Sequence, residues 1–462
     1  MILADVFNQF VKQSPVCVMV RATLENALSQ ERVNELFARL AVRQRPSELL
    51  FSTVADLMGL VVCRVRPSIH AAYQARSEDL RVSFEAVYAK LRRIEPGVSR
   101  ALVRETAERM AAIVRQTGGV LPELLPGYRV LIVDGNHLPA TERRLKELRT
   151  QNVAPLPGHS LVVLDPALML AVDVLPCPDG HASERTLLPA LFQTLQPRDL
   201  LLADRNFCTT NALWEIDRRG AFFLIRQHGS SLKCELVGRR KKIGRIATGM
   251  VYEQALRLLG SNGATPTIRR ITIRLDEPTR DGDEEIHVLT NVPAKISAVK
   301  LGELYQRRWT VEGAFQEMEA TLNSEIETLA YPQAALFAFC LALVGYNVLS
   351  VVKAALRGVH GHDKIEDEVS GYYLADEVAG TSRGTMIVLP ADFWTERFAR
   401  HTPSQLAPFL LTCARQVRLA AFRKHRRGPK KIPPASVSKK SRGHVATQRI
   451  LNERKQVPAL HQ

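Results

Sequence analysis

The sequence predicts an α/β protein: a mixed-sheet core carrying a β-rich insertion, flanked by a helical N-terminal domain and a helical, basic C-terminal region. Three observations carry this. Two apolar runs, Arg129 to Val133 and Leu200 to Ala203, each stop at an aspartate, as strands of a covered sheet do. Apolar residues three and four apart recur through residues 1–120 and again around 304–322. From about 229 to 293 the spacing changes to the apolar–polar alternation of strands, as in Ile268 to Leu275 and Ile286 to Val292.

In chain order, Glu25 to Leu40, Ser47 to Val61 and Ser77 to Leu91 read as helices, punctuated by Pro15, Pro46, Pro67 and Pro96. After the Gly- and Pro-rich loop 118–127, strands are expected at Arg129 to Val133, Ser160 to Leu164 and Met169 to Leu175. A helix follows from Ser183 to Leu195, with Glu184 in a first turn that suits an acid. Next come a strand at Leu200 to Ala203, a helix at Thr209 to Arg219 and a strand at Ala221 to Arg226. The insertion contains a basic loop, Gly238-Arg-Arg-Lys-Lys-Ile-Gly244. One run, Ala334 to Leu356, is apolar enough for a membrane span, but Tyr346, Asn347, Ser350 and Lys353 within it favour a helix buried in a protein core. Short helices and loops are expected over 360–400 and another helix at Pro403 to Arg418.

Chemistry concentrates at three carboxylates. Asp134, followed by Gly, and Asp204, in Asp-Arg-Asn-Phe207, end the two apolar runs. A later segment, Tyr305-Gln-Arg-Arg-Trp-Thr-Val-Glu312, places Tyr305, Arg308 and Glu312 on one helical stripe, apart from the apolar stripe of Leu304, Val311, Phe315, Met318 and Leu322. Taken singly, each aspartate also fits a turn or cap, and the helix stripe also fits a solvated i,i+4 ion pair. Together, two strand-end Asp and one helical Glu form a hard-oxygen donor set suited to Mg²⁺ or Mn²⁺, the pattern of two-metal phosphodiester chemistry. Trp309 reads more readily as a core residue.

These residues resemble the motifs of DDE transposases of the insertion-sequence-four family. Tyr305, Arg308 and Glu312 match that family's Tyr-x2-Arg-x3-Glu-x6-Lys, with Glu319 where the Lys belongs; Asp134-Gly and Asp204-Arg-x-Phe resemble its two earlier acidic motifs. The similarity spans roughly 125–350. It implies a ribonuclease H-like core, with Asp134, Asp204 and Glu312 catalytic and holding two Mg²⁺ (or Mn²⁺) ions. It further implies that Tyr305 and Arg308 contact backbone phosphate and that the N-terminal domain recognises transposon ends. The reaction implied is end hydrolysis, a hairpin step and strand transfer, by a homodimer on paired inverted-repeat ends of double-stranded DNA.

Charge points the same way. Of the formal net charge of +16, +13 falls between Arg415 and Lys455, where fourteen basic residues face the single acid Glu453. A polyanion is the matching partner, and Arg426, Arg427, Lys430 and Lys431 are its leading contacts in a tail expected to be disordered without DNA. Seven scattered cysteines without a CxxC pair, and no basic-then-apolar leader at Met1, fit a reduced, cytoplasmic protein with no membrane partner. The expected organisation is therefore 1–124 helical, 125–357 catalytic core with the insertion at about 229–293, 358–422 helical, and 423–462 a basic tail. Two rivals share these features: a metal-dependent nuclease of the same fold that never joins strands, and a non-catalytic DNA-binding descendant.

Overall fold

The computed structural model describes residues 2–44, 48–78, 80–138, 145–149, 154–228, 232–259, 267–279, 282–425 and 444–456. Arg426, Arg427, Lys430 and Lys431 lie outside the described residues.

Seven helices come first: α1 (Ile2–Gln13), α2 (Pro15–Ala27), α3 (Gln30–Leu40), α4 (Phe51–Val62), α5 (Ile69–Gln74), α6 (Phe84–Leu91) and α7 (Pro96–Gln116). The helix expected over 25–40 is two, because the chain turns at Leu28 and Ser29, where Arg32 ties down Asn26 O and Ser29 Oγ. The helix expected from Ser77 begins only at Phe84, where the Ser83 side chain accepts the Ala86 N–H and caps it. Prolines open α2 and α7, where a missing N–H costs nothing.

The core follows with β1 (Arg129–His137), β2 (Ala154–Leu156), β3 (His159–Asp165), β4 (Leu170–Cys177), α8 (Leu188–Phe192), β5 (Asp199–Ala203), α9 (Thr210–Arg218) and β6 (Phe222–Arg226). Where one helix was expected over 183–195, a tight 3₁₀ turn at Glu184–Leu187 precedes the short α8, which has Pro189 in its first turn. The insertion supplies β7 (Cys234–Ile246), β8 (Gly249–Leu258), β9 (Thr267–Leu275) and β10 (Glu285–Thr290). It is not a separate body: β10 pairs antiparallel with β6, giving one nine-stranded sheet ordered β4-β3-β1-β5-β6-β10-β9-β8-β7. Within it β1, β5 and β6 run parallel and β3 and β4 antiparallel. That mixed sheet is compatible with the ribonuclease H-like core the resemblance implied.

The remaining helices are α10 (Ala298–Gln306), α11 (Thr310–Thr321), α12 (Pro332–His360), α13 (His362–Glu368), α14 (Gly371–Val388), α15 (Ala391–Phe398) and α16 (Pro403–Gln416). α12 is long and apolar enough to cross a membrane by length and composition, yet the whole of its most apolar window is buried inside the protein. Its Asn347 explains how a polar residue survives there: the side chain accepts the Ala171 N–H (2.8 Å) and donates to Ala171 O (2.9 Å) beside the register shift between β3 and β4. Finally, β11 (His444–Ala446) pairs parallel with β2, and α17 (Thr447–Gln456) follows. Disorder was expected from Arg423 onward, but these residues are anchored: Ala446 is fully buried, and Arg449 holds both carboxylate oxygens of Asp179 at 2.9 and 3.1 Å.

Side chains of the central strands alternate between two cores. Ile132, Leu200 and Leu202 join the larger cluster, with α7, α10, α11 and α12; Leu131, Val133, Leu201 and Ala203 join the smaller one, with α8 and α9. This alternation decides which way the next residue of each strand points.

Candidate active site

β1 and β5 pair in register up to Ile132 with Leu202 and Val133 with Ala203. The next positions are Asp134 and Asp204. By alternation both fall on the face of Ile132 and Leu202, toward α11. Adjacent strands lie roughly 4.8 Å apart, so about 70 residues of chain close into neighbouring carboxylates. Asp134 does not end its strand, as the apolar run suggested: β1 continues to His137 along β3, from Asp134 opposite Val162 to His137 opposite His159. Only the pairing with β5 stops, because the chain leaves β5 in a 3₁₀ turn, Arg205–Phe207, anchored by the buried Phe207. The sheet splits there, and the aspartates sit at the split.

The third element arrives from α10 and α11. One continuous helix was expected over 304–322; instead a 3₁₀ turn, Arg307–Trp309, separates the two. Tyr305, on the inward face of α10 with Ala298 and Leu301, is only 4% exposed, and burial pushes its phenol pKa up. Arg308 is brought against the strands: one guanidinium nitrogen lies 3.2 Å from Asp134 Oδ2 and another 3.1 Å from Glu312 Oε1. Trp309 turns outward at 51% exposure, with the Arg308 guanidinium 5.7 Å from its ring. The expectation of a core tryptophan is therefore overturned: at about 100° per residue Trp309 falls on the side away from the apolar stripe of Leu304, Val311 and Met318. Glu319, in place of the family Lys, is exposed at the far end of α11.

The electrostatics follow from crowding. Burial raises the Asp134 pKa to about 6, with Glu312 and Asp204 adding to the rise and Arg308 and the Gly135 N–H (2.9 Å from Asp134 Oδ1) opposing it. Burial works against the charge on Arg308 as well, but Tyr305, Asp134, Asp204 and Glu312 outweigh it and raise its pKa. One guanidinium thus serves several carboxylates, and Asp134 remains undercompensated.

A residue not singled out as part of the site backs it. The Glu184 carboxylate occupies the place where a β-carbon on Gly135 would sit, with Oε1 1.7 Å from that point, so a side chain there would displace Glu184 from beside Asp134. The next residue, Arg185, donates from Nε to Asn206 O at 2.7 Å, inside the Asp204 turn. The Glu184–Leu187 turn therefore touches both aspartate loops. Gly135 was the only trace of this in the sequence.

Residues 125–348 match the family model of the transposase DDE domain. The match supports a DDE transposase. It begins just before β1 and ends within α12, so it covers the sheet, the insertion and the helices bearing Arg308 and Glu312. The match points to an enzyme acting on DNA, and domains of this kind generally use divalent metal ions. No curated protein matches the chain. Among the described residues no three His, Cys, Asp or Glu side chains are drawn together as a metal cluster; here Arg308 bridges Asp134 and Glu312. The donor set nonetheless fits a hard divalent cation. It consists of carboxylate oxygens only, and Glu312 and Asp204 act on the buried Asp134 as like charges that a cation would offset.

Proposed function

We propose that the protein is a cut-and-paste DNA transposase of the insertion-sequence-four family, with Asp134, Asp204 and Glu312 as its catalytic carboxylates. The observation that carries this reading is the register of β1 against β5, which brings Asp134 and Asp204 level on the face toward α11, together with the Arg308 bridge from Asp134 to Glu312. Asp134, Asp204 and Glu312 would hold two Mg²⁺ ions, or Mn²⁺. When bound, such ions supply Lewis-acid activation of a water or 3′-hydroxyl and stabilise charge at the scissile phosphate.

The other residues have roles that follow from their placement. Arg308 offers a rigid fork of donors to a backbone phosphate once the carboxylates engage other charge, a geometry Lys does not reproduce. Tyr305 is buried beside it, so its part is to hold Arg308 in place and not to reach DNA itself. Exposed Trp309 offers a ring for stacking on an unpaired base at a hairpin. The edge strand β7 presents Arg239, Lys241 and Lys242 to solvent, cations suited to DNA held alongside the sheet. In this reading residues 1–124 bind the transposon ends, the basic segment with Arg426, Arg427, Lys430 and Lys431 adds phosphate contacts, and two copies act on paired ends in the cytoplasm.

The test is a strand-transfer assay with labelled end DNA from the inverted repeats flanking the gene, a target plasmid and Mg²⁺. Joined products are expected. Cleavage without joining would identify a nuclease of the same fold, and binding without cleavage a non-catalytic descendant.

A further inference from the structure

Residue 64 has a left-handed backbone, with φ of +57°, directly after α4. That position at a helix end favours Gly or Asn, because a side chain there crowds the backbone. Here it is arginine, and its side chain has a defined target. The guanidinium donates to three backbone carbonyls at the C-terminal end of α11: Glu319 O at 2.9 Å, Ala320 O at 3.1 Å and Leu322 O at 2.9 Å. The Asn323 N–H donates in return to Val62 O, the last residue of α4, at 2.8 Å. On the other side, Arg383 Nε holds Val65 O at 2.7 Å, fixing the segment just after Arg64 to α14.

The last turn of any helix leaves carbonyls without intrahelical partners, and a cation placed there also suits the helix dipole. α11 carries Glu312 in its first turn and receives this cap at its last. A helix transmits axial position, so whatever seats one end of α11 sets where Glu312 stands relative to β1. We propose that Arg64 is a positioning residue for Glu312, by which the helical N-terminal region seats the helix bearing the third carboxylate. This rests on the reading of Glu312 as catalytic; the capping itself does not.

The experiment compares the full-length protein with Arg64→Asn, which tolerates the left-handed backbone but removes the cap, and Arg64→Lys, which keeps the charge without the fork. Three properties are measured: binding of end DNA, Mg²⁺-dependent cleavage, and hydrogen exchange of backbone amides. For Arg64→Asn, end binding should stay within about twofold while cleavage falls about tenfold or more, as for residues that orient metal ligands. Amides of residues 316–323 should exchange about tenfold faster with those of β1 unchanged, and Arg64→Lys should fall between. Unchanged exchange in α11 would overturn the proposal. So would cleavage that survives faster exchange there, or exchange accelerated equally across the whole chain, which would mark a general stability role. If the unmutated protein does not cleave, the transposase reading fails instead, and the exchange result still decides whether Arg64 seats α11.

Discussion

Arg308 and Asp134, separated by 174 positions in the chain, meet at 3.2 Å with both side chains largely buried. The contact joins the helical half of the site to the sheet half. It also means that the acid most in need of a counter-charge receives only a share of one, since the same guanidinium holds Glu312 at 3.1 Å.

Amidation should separate chemistry from binding. Asp134→Asn, Asp204→Asn and Glu312→Gln each remove a hard ligand while preserving shape. Even residues that only orient metal ligands cost 10–100-fold when lost, so each of these changes is expected to lower Mg²⁺-dependent cleavage by about 100-fold or more. End binding in a mobility-shift assay should be retained. Any one variant that cleaves normally removes its residue from the site.

The Asp134 pKa has a consequence for stability. Burial raises it from the usual 3.8 to about 6. Between those values the folded protein holds a proton that the unfolded chain has released. Stability therefore falls as pH rises from about 4 to about 6 in metal-free protein, by about 2–3 kcal/mol. Denaturant unfolding in a chelator at both ends of that window checks this: Asp134→Asn should lose that much less than the wild type. At pH 7, added Mg²⁺ should raise the wild-type Tm and leave that of the variant unmoved. Parallel pH profiles would show that Asp134 is not desolvated as described.

Exposure makes Trp309 a clean probe. Removing a half-exposed ring touches little of the core, so Trp309→Ala should change unfolding free energy by no more than about 0.5 kcal/mol. Stacking on a base is worth about 1–3 kcal/mol, so the same change should weaken binding to cleaved or hairpin ends, and Trp309→Phe should restore part of it. Intact duplex should bind as before. A large drop in Tm would return Trp309 to a packing role.

Anchoring of β11 and α17 changes how the basic segment should be tested. Truncation at Arg423 would also remove buried Ala446 and the Arg449–Asp179 pair. The better variant replaces Arg426, Arg427, Lys430 and Lys431 with serine. If all four meet phosphates, the log–log salt slope of DNA binding becomes shallower by up to about 3.6. Sequence preference should not change, because backbone contacts carry none. An unaltered slope would leave the segment a solubilising device.

The sequence by itself determined most of the element types, because burial on both faces imposes continuous apolar runs and helix packing imposes its own period. Asp134, Asp204 and Glu312 could be picked out because each interrupts or borders such a pattern with a charged residue. Asn347 likewise marked α12 as a core helix, a polar side chain that only another backbone could satisfy. What the tertiary structure decided depends on contacts between distant segments, which periodicity does not encode. It placed Asp134 within a strand instead of at its end, because pairing with β3 continues where pairing with β5 stops. It joined the insertion to the core sheet through β10 and β6, although alternation alone fits either a separate body or an extended sheet. It buried Tyr305, which shares the inward face of α10 with Ala298 and Leu301, and left Trp309 exposed at the turn where α10 ends. It also brought Glu184 against Gly135 and Arg64 onto α11, packing contacts between segments tens to hundreds of residues apart, for which the only local marks are a glycine and a left-handed arginine.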